Sequence, residues 1–177
     1  MSDDWKLLNT STASGAANVE FTDLTGYKIF KFVFIDVNPA TNGANLVFDC
    51  SVSSSYGTTK TTTFFWAKHL ENDSSAGLEY VASYDLAQST SNQILCGGIG
   101  NGADECAAGE LLLFNPTSTT YVKHFYSTSN QFEYGGYSIN NYVAGYFNTT
   151  SALDKCKMLM SSGNFDGVIK QYGLVAS

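Results

Sequence analysis

Short runs in which apolar residues fall at every second position, each closed by a cluster of Gly, Ser, Asn or Asp, follow one another along almost the whole chain. A period of two sends alternate side chains to opposite faces of a strand, one toward a core and one toward solvent. Eleven such runs predict strands at 4–9, 18–21, 27–37, 45–52, 61–69, 78–84, 109–116, 120–127, 141–147, 156–162 and 167–174. The run at 27–37 (YKIFKFVFIDV) is apolar on both faces near its middle, as a central strand is. No helical period lasts three turns, and single turns at 83–90 and 151–155 are the most that the pattern suggests. These features predict an all-β chain, an antiparallel β-sandwich, jelly-roll-like, with eight core strands plus extras. Residues 16–177 form the single sandwich domain, and residues 1–15 an N-terminal arm or a first edge strand.

At 177 residues the chain can bury a core without staples. Only 14% of it is charged, and Ser, Thr and Asn supply the polarity that charge does not. The net charge is -7, and every basic residue is a lysine. Nucleic-acid binding calls for a cationic face and guanidinium forks, so no nucleic-acid partner is expected. The start MSDDWKLLN has neither a basic nor an apolar leader region, and no apolar run approaches the roughly 20 residues that cross a bilayer. Synthesis in a cytosol without membrane insertion is the expectation.

Cysteines stand at 50, 96, 106 and 156, without a C-x-x-C pair or a histidine at finger spacing, which argues against structural zinc. Cys50 and Cys156 each fall in an apolar alternation and read as small buried core residues. Cys96 and Cys106 bracket the stretch CGGIGNGADEC, and a reducing cytosol favours thiols over a bridge between them. The glycines of that stretch lack the G-x-G-x-x-G spacing, no helix follows, and Asp104 and Glu105 would repel a phosphate. It reads as a flexible, exposed loop between strands. Asn101, Asp104 and Glu105 there, and Glu71, Asn72 and Asp73 in another loop, are oxygen ligands of the kind calcium takes. Neither set follows the EF-hand order and acidic loop residues are ordinarily just solvated, so no cofactor is expected.

His69 and His124 both lie beside aromatics near strand ends, where packing explains them better than catalysis. No pair of carboxylates stands out for glycoside hydrolysis. The segment 126–147 is rich in tyrosine among Asn, Ser and Gly, a composition of adaptable binding surfaces. Tyr126, Tyr134, Tyr137, Asn140, Asn141 and Tyr142 are the candidate binding residues.

Several phrases follow one another in an order that is familiar as a set: TASGAANVEFTDLTGYKIFKFVFIDVNPAT, HLENDSSAGLEY, AQSTSNQ, IGNGADE, GELLLFNPTSTTYVKHF, VAGYFNTTSALD and MSSGNFDGVIKQYGL. Together, over about residues 6–174, they resemble a largely uncharacterised family of small virion-associated structural proteins of marine tailed bacteriophages, including those of cyanobacteria. KCKM departs from the more apolar strand that precedes MSSGN in that family. The resemblance implies a non-enzymatic protein of the virion, a head-decoration subunit or a small module of the tail or fibre apparatus. Its partners would be other virion proteins and copies of itself, a trimer among the expected symmetries, with MSDDWKLLNTSTASG as a candidate anchoring arm. A receptor-binding module for host-surface glycan is the alternative, and a glycan-cleaving enzyme on the same fold a third.

Overall fold

The computed structural model of the chain describes residues 4–174 and contains, among them, no helix. Twelve strands run in chain order: β1 (Trp5–Ala16), β2 (Asn18–Phe21), β3 (Ile29–Pro39), β4 (Ala44–Ser51), β5 (Lys60–Leu70) and β6 (Ala76–Tyr80), then β7 (Gln93–Ile99), β8 (Ala107–Phe114), β9 (Lys123–Glu133), β10 (Tyr137–Phe147), β11 (Lys155–Met160) and β12 (Phe165–Leu174). Every ladder is antiparallel. The pairs nest: β1 with β12, β2 with β11, β3 with β8, and β4 with β7. That nesting is the wrapped hairpin of a jelly roll, with β1-β12-β3-β8 as one sheet and β2-β11-β4-β7 as the other.

The remaining strands extend only the first sheet, which continues through β9, β10, β5 and β6. The two sheets join near one corner, where Ile99 of β7 lies opposite Glu133 of β9. Two backbone bonds reinforce that corner, Gly100 N–H to the Phe132 carbonyl and Tyr134 N–H to the Gly98 carbonyl, each 3.1 Å. Between the layers the alternation of β3 buries Phe30, Phe32 and Phe34, which meet the opposite sheet as Phe32 meets Phe21 at 5.2 Å. Phe48 of β4 likewise sets its edge on Phe125 of β9 at 4.8 Å. Each such ring contributes about 1.5–3 kcal/mol by leaving water, which makes this aromatic layer the main adhesive between the sheets.

The all-β, jelly-roll-like class expected from the alternation is present. Three local expectations are not. First, the glycine stretch is not a flexible exposed loop: its first part is β7, buried from Leu95 to Gly100. Gly97 is needed there because a Cβ would run into the ring of Tyr84, which lies across the strand. Only the residues around 101–105 turn. Second, Cys50 and Cys156 are buried as expected but are not thiols. The β4–β11 register sets them opposite one another, Cα atoms 4.1 Å apart, and they form a disulfide; Cys96 and Cys106 are free. Third, neither 83–90 nor 151–155 holds a helical turn: both are turns and irregular backbone, and Lys155 already begins β11. Of the two expectations for residues 1–15, an arm or a first edge strand, the described part from Trp5 onward takes the second form: it is β1, the end strand of its sheet, paired with β12 along its length, while residues 1–3 lie outside the described residues.

Candidate functional site

The four strands that extend the long sheet present an outer face unlike the rest of the molecule. On β9 and β10 the alternation sends Phe125, Ser127, Val143 and Phe147 inward, leaving Tyr126, Thr128, Tyr142 and Ala144 on the outside. The register then sets Tyr126 beside Ala144 and Thr63, and Thr128 beside Tyr142, Phe65 and Tyr80. Phe65 and Tyr142 stack with centroids 4.8 Å apart and planes 10° from parallel. Phe114 leans on Tyr126 at 5.7 Å, and His124 on Tyr146 at 5.8 Å.

Between these two walls the small residues Ala144 and Gly145 leave an open trough of about 340 Å³, lined by Thr61, Thr63, Phe114, His124, Tyr126 and Tyr146. A smaller hollow of about 180 Å³ continues it toward the Phe65–Tyr142 stack. Tyr126 is 43% exposed, and at the far edge Tyr80 is 53% and Leu78 74% exposed. Rings and an isobutyl group bared together on one sheet face form the kind of patch that marks an interaction surface.

Two polar groups at the β6 edge are held by neighbours. Tyr80 donates its hydroxyl to Asp85, which raises the phenol's pKa. Glu79, turned to the other side of β6, accepts from Lys68 at 3.1 Å and Trp66 at 3.2 Å, and these bonds lower its pKa. The lining of the trough offers hydroxyls, rings and one imidazole but no carboxylate. It can hold a ligand by ring stacking and hydroxyl contacts.

Elsewhere the chemistry-bearing residues are committed to structure. His69 meets Asp73 at 3.1 Å within an exposed turn. Glu105 folds back to accept the Gly102 N–H at 2.6 Å, and Asn72 accepts the Ser74 N–H at 3.0 Å. Among the described residues, no three His, Cys, Asp or Glu side chains converge where a metal ion could be held.

Of the six residues proposed as a binding surface, Tyr126, Tyr142 and Asn140 share the outer face, and Asn140 donates to the Tyr142 hydroxyl at 2.5 Å. Tyr134 lies in the turn after β9, exposed but resting against Gly43 and Gly98 of the other sheet. Tyr137 shares the inward parity of β10 at its far end, near the Lys68 ammonium. Asn141 must be struck from the set. It is fully buried, donating to Ser129 Oγ and Gln131 Oε1 at 3.1 Å each, because its position in the alternation points it into the sandwich. Phe65, Leu78, Tyr80, Phe114 and Tyr146 belong to the surface and were not anticipated. The signal was in FFW at 64–66, where one phenylalanine of an adjacent pair has to face outward.

A buried charge pair also escaped sequence reading. Lys60 is fully buried, with Nζ 2.8 Å from Asp49 Oδ1 and 2.8 Å from the Thr58 carbonyl. Asp49 is further held by N–H groups of Cys50 and Gly57. Burial lowers the pKa of Lys60, and the carboxylate opposes that only in part. Across Phe147 from it, Lys123 is buried with the Tyr121 and Thr149 carbonyls as acceptors, and burial lowers its pKa too.

No protein-family profile and no curated protein matches the chain. Among solved structures, a crystal structure of the infectious bursal disease virus VP2 subviral particle aligns with 99% of this chain and 43% of that chain at 13% identity. Its TM-score of 0.14 is too low to carry an argument about fold or function.

Proposed function

We propose that this chain is a non-enzymatic structural protein of a phage virion, exposed on the particle as a head-decoration subunit or a small tail or fibre module, and that it works by self-association and docking. The observation that carries this reading is the bare aromatic face of β9-β10-β5-β6. The nested pairs already make an eight-stranded jelly roll; the inner side of β9, β10 and β5 adds Phe125, Val143, Phe147 and Phe64 to its core, which leaves the outer side of these strands without a packing role. The acidic, arginine-free composition and the resemblance of the ordered motifs to marine phage virion proteins support the same assignment.

Quantitative mass spectrometry of purified particles tests it. Hundreds of copies per virion fit a head-decoration role, about a dozen fit the tail, and absence from the particle refutes the reading. Replacing Phe65 and Tyr142 by Ser should release the protein from particles while leaving the isolated domain folded, since both lie outside the core.

The trough favours a second reading, in which the protein is a receptor-binding module that recognises host-surface glycan. Aromatic walls at Phe114, Tyr126 and Tyr146 with Thr61 and Thr63 hydroxyls are the components of a sugar platform. Retention on a glycan array that is lost with Tyr126→Ala would select that reading over pure docking.

A further inference from the structure

Strand β6 ends the long sheet, and all five of its residues are exposed. Its ladder with β5 determines which backbone groups are already paired. Val81 N–H donates to the Phe64 carbonyl at 2.9 Å and Leu70 N–H to the Ser75 carbonyl at 2.8 Å, on either side of the Phe65–Tyr80 to His69–Ala76 register. In an antiparallel ladder alternate residues turn both backbone groups toward the same neighbour. Gly77 and Glu79 therefore bond to β5, while Ala76, Leu78 and Tyr80 turn N–H and C=O to the open edge. Proteins ordinarily block such an edge with an outward charge, a proline or a bulge. Here the strand's one charge, Glu79, is held on the opposite face by Lys68 and Trp66, and the outer face carries Leu78 and Tyr80.

We infer that β6 pairs antiparallel with β6 of a second copy, about a two-fold axis through Leu78. This rests on the self-association reading above and names its surface and partner. The strand is complementary to itself about that residue. Leu78 would exchange both backbone bonds with its counterpart, and Ala76 would lie opposite Tyr80, small against large. Gly77 would lie opposite Glu79, so no carboxylate faces another even though each chain carries a net charge of -7. The two long sheets become one continuous sheet, and the two aromatic faces meet along the seam. A five-residue strand buries little area, which places the dimer among weak, concentration-dependent interfaces.

Analytical ultracentrifugation of the full chain over a concentration series, with hydrogen exchange read at 76–80, tests the pairing. The expected result is a dimer that grows with concentration, in which the amides of Ala76, Leu78 and Tyr80 exchange measurably more slowly than in the monomer, by up to about tenfold. Leu78→Lys should abolish the dimer without moving the thermal midpoint measured at dilutions where the wild-type chain is monomeric, because the side chain is 74% exposed. An oligomer that survives Leu78→Lys, or that forms without slowing those three amides, overturns the β6 pairing and leaves self-association by another face. A chain that is monomeric at every concentration overturns both the pairing and self-association.

Discussion

Two buried side chains set the energetic risk of this fold at the residue scale. The Lys60 ammonium is out of water entirely and is tolerable only because Asp49 and the Thr58 carbonyl receive it. Removing one partner of a buried pair leaves an uncompensated charge, which costs about 3–5 kcal/mol. Asp49→Ala should therefore lower stability by that amount in urea denaturation near neutral pH. The double variant Asp49→Ala/Lys60→Met should recover most of the loss, and additive losses would contradict a direct pairing. Cys96 makes a second test through pH. An exposed thiol titrates at 9.0, but burial pushes Cys96 up to about 12, the bond to Ser129 opposing only weakly. Above pH 9 the unfolded chain gives up this proton first, so stability present below 9 is lost as pH rises toward 12. At about 1.4 kcal/mol per unit the loss reaches about 4 kcal/mol. Cys96→Ser should flatten this part of the curve of denaturation midpoint against pH, leaving the tyrosine contribution, to which Tyr56 adds through its burial and its bond to Glu20.

At the scale of elements, the disulfide between β4 and β11 closes 106 residues of sequence across the middle of the smaller sheet. A bridge over a loop of that size limits the unfolded ensemble, and its removal typically costs about 2–5 kcal/mol. The double variant Cys50→Ala/Cys156→Ala, and the wild-type chain in excess reductant, should both lose stability in that range in chemical denaturation. Agreement between the two separates the bond itself from the small cavity that alanine leaves. This bond also marks the boundary of what sequence reveals. The alternation around Cys50 and around Cys156 placed each sulfur on an inward face, but a bond needs register, and register is decided by ladders between distant segments. Strand β7 was hidden for a different reason. Its glycines at 97 and 98 erase the apolar alternation, and the cause, the Tyr84 ring and the approach of β9, lies far off in sequence. The candidate surface was half legible in the same sense. Tyrosine content pointed to β9 and β10, where the alternation put Asn141 inward, whereas Phe65 and Tyr80 reach the surface through strands β5 and β6, whose neighbours only the fold supplies.

Over the whole molecule the chain holds its two layers by burial and ladders rather than by charge. Among the described residues the solvated ion pairs are few: Lys31 stands 4.0 Å from Glu110, and Lys68 meets Glu79 at 3.1 Å with the carboxylate half exposed. Exposed pairs of this kind contribute little to stability, because water and salt screen them. Against them stands a net charge of -7 with only nine cations; Lys60 is buried together with Asp49 and so leaves the balance unchanged, but Lys123 is withdrawn into the interior against carbonyls alone. The outer surface is thus more acidic than the formal count suggests, and its self-repulsion works against the compact state. Salt shortens the reach of that repulsion to about 10 Å at 0.1 M and less above it, while the buried Lys60–Asp49 pair is hardly screened. Raising sodium chloride from low ionic strength to about half molar, where the Debye length falls to a few ångströms, should raise the thermal midpoint. The gain should be of similar size in the Glu79→Gln variant, which breaks the Lys68 pair. The same screening should favour the approach of like-charged copies at the β6 edge, so the dimer fraction in sedimentation should grow with salt as well. A midpoint that falls with salt would mean that surface ion pairs outweigh repulsion, and would reverse this account of how an acidic sandwich stays folded and how its copies meet.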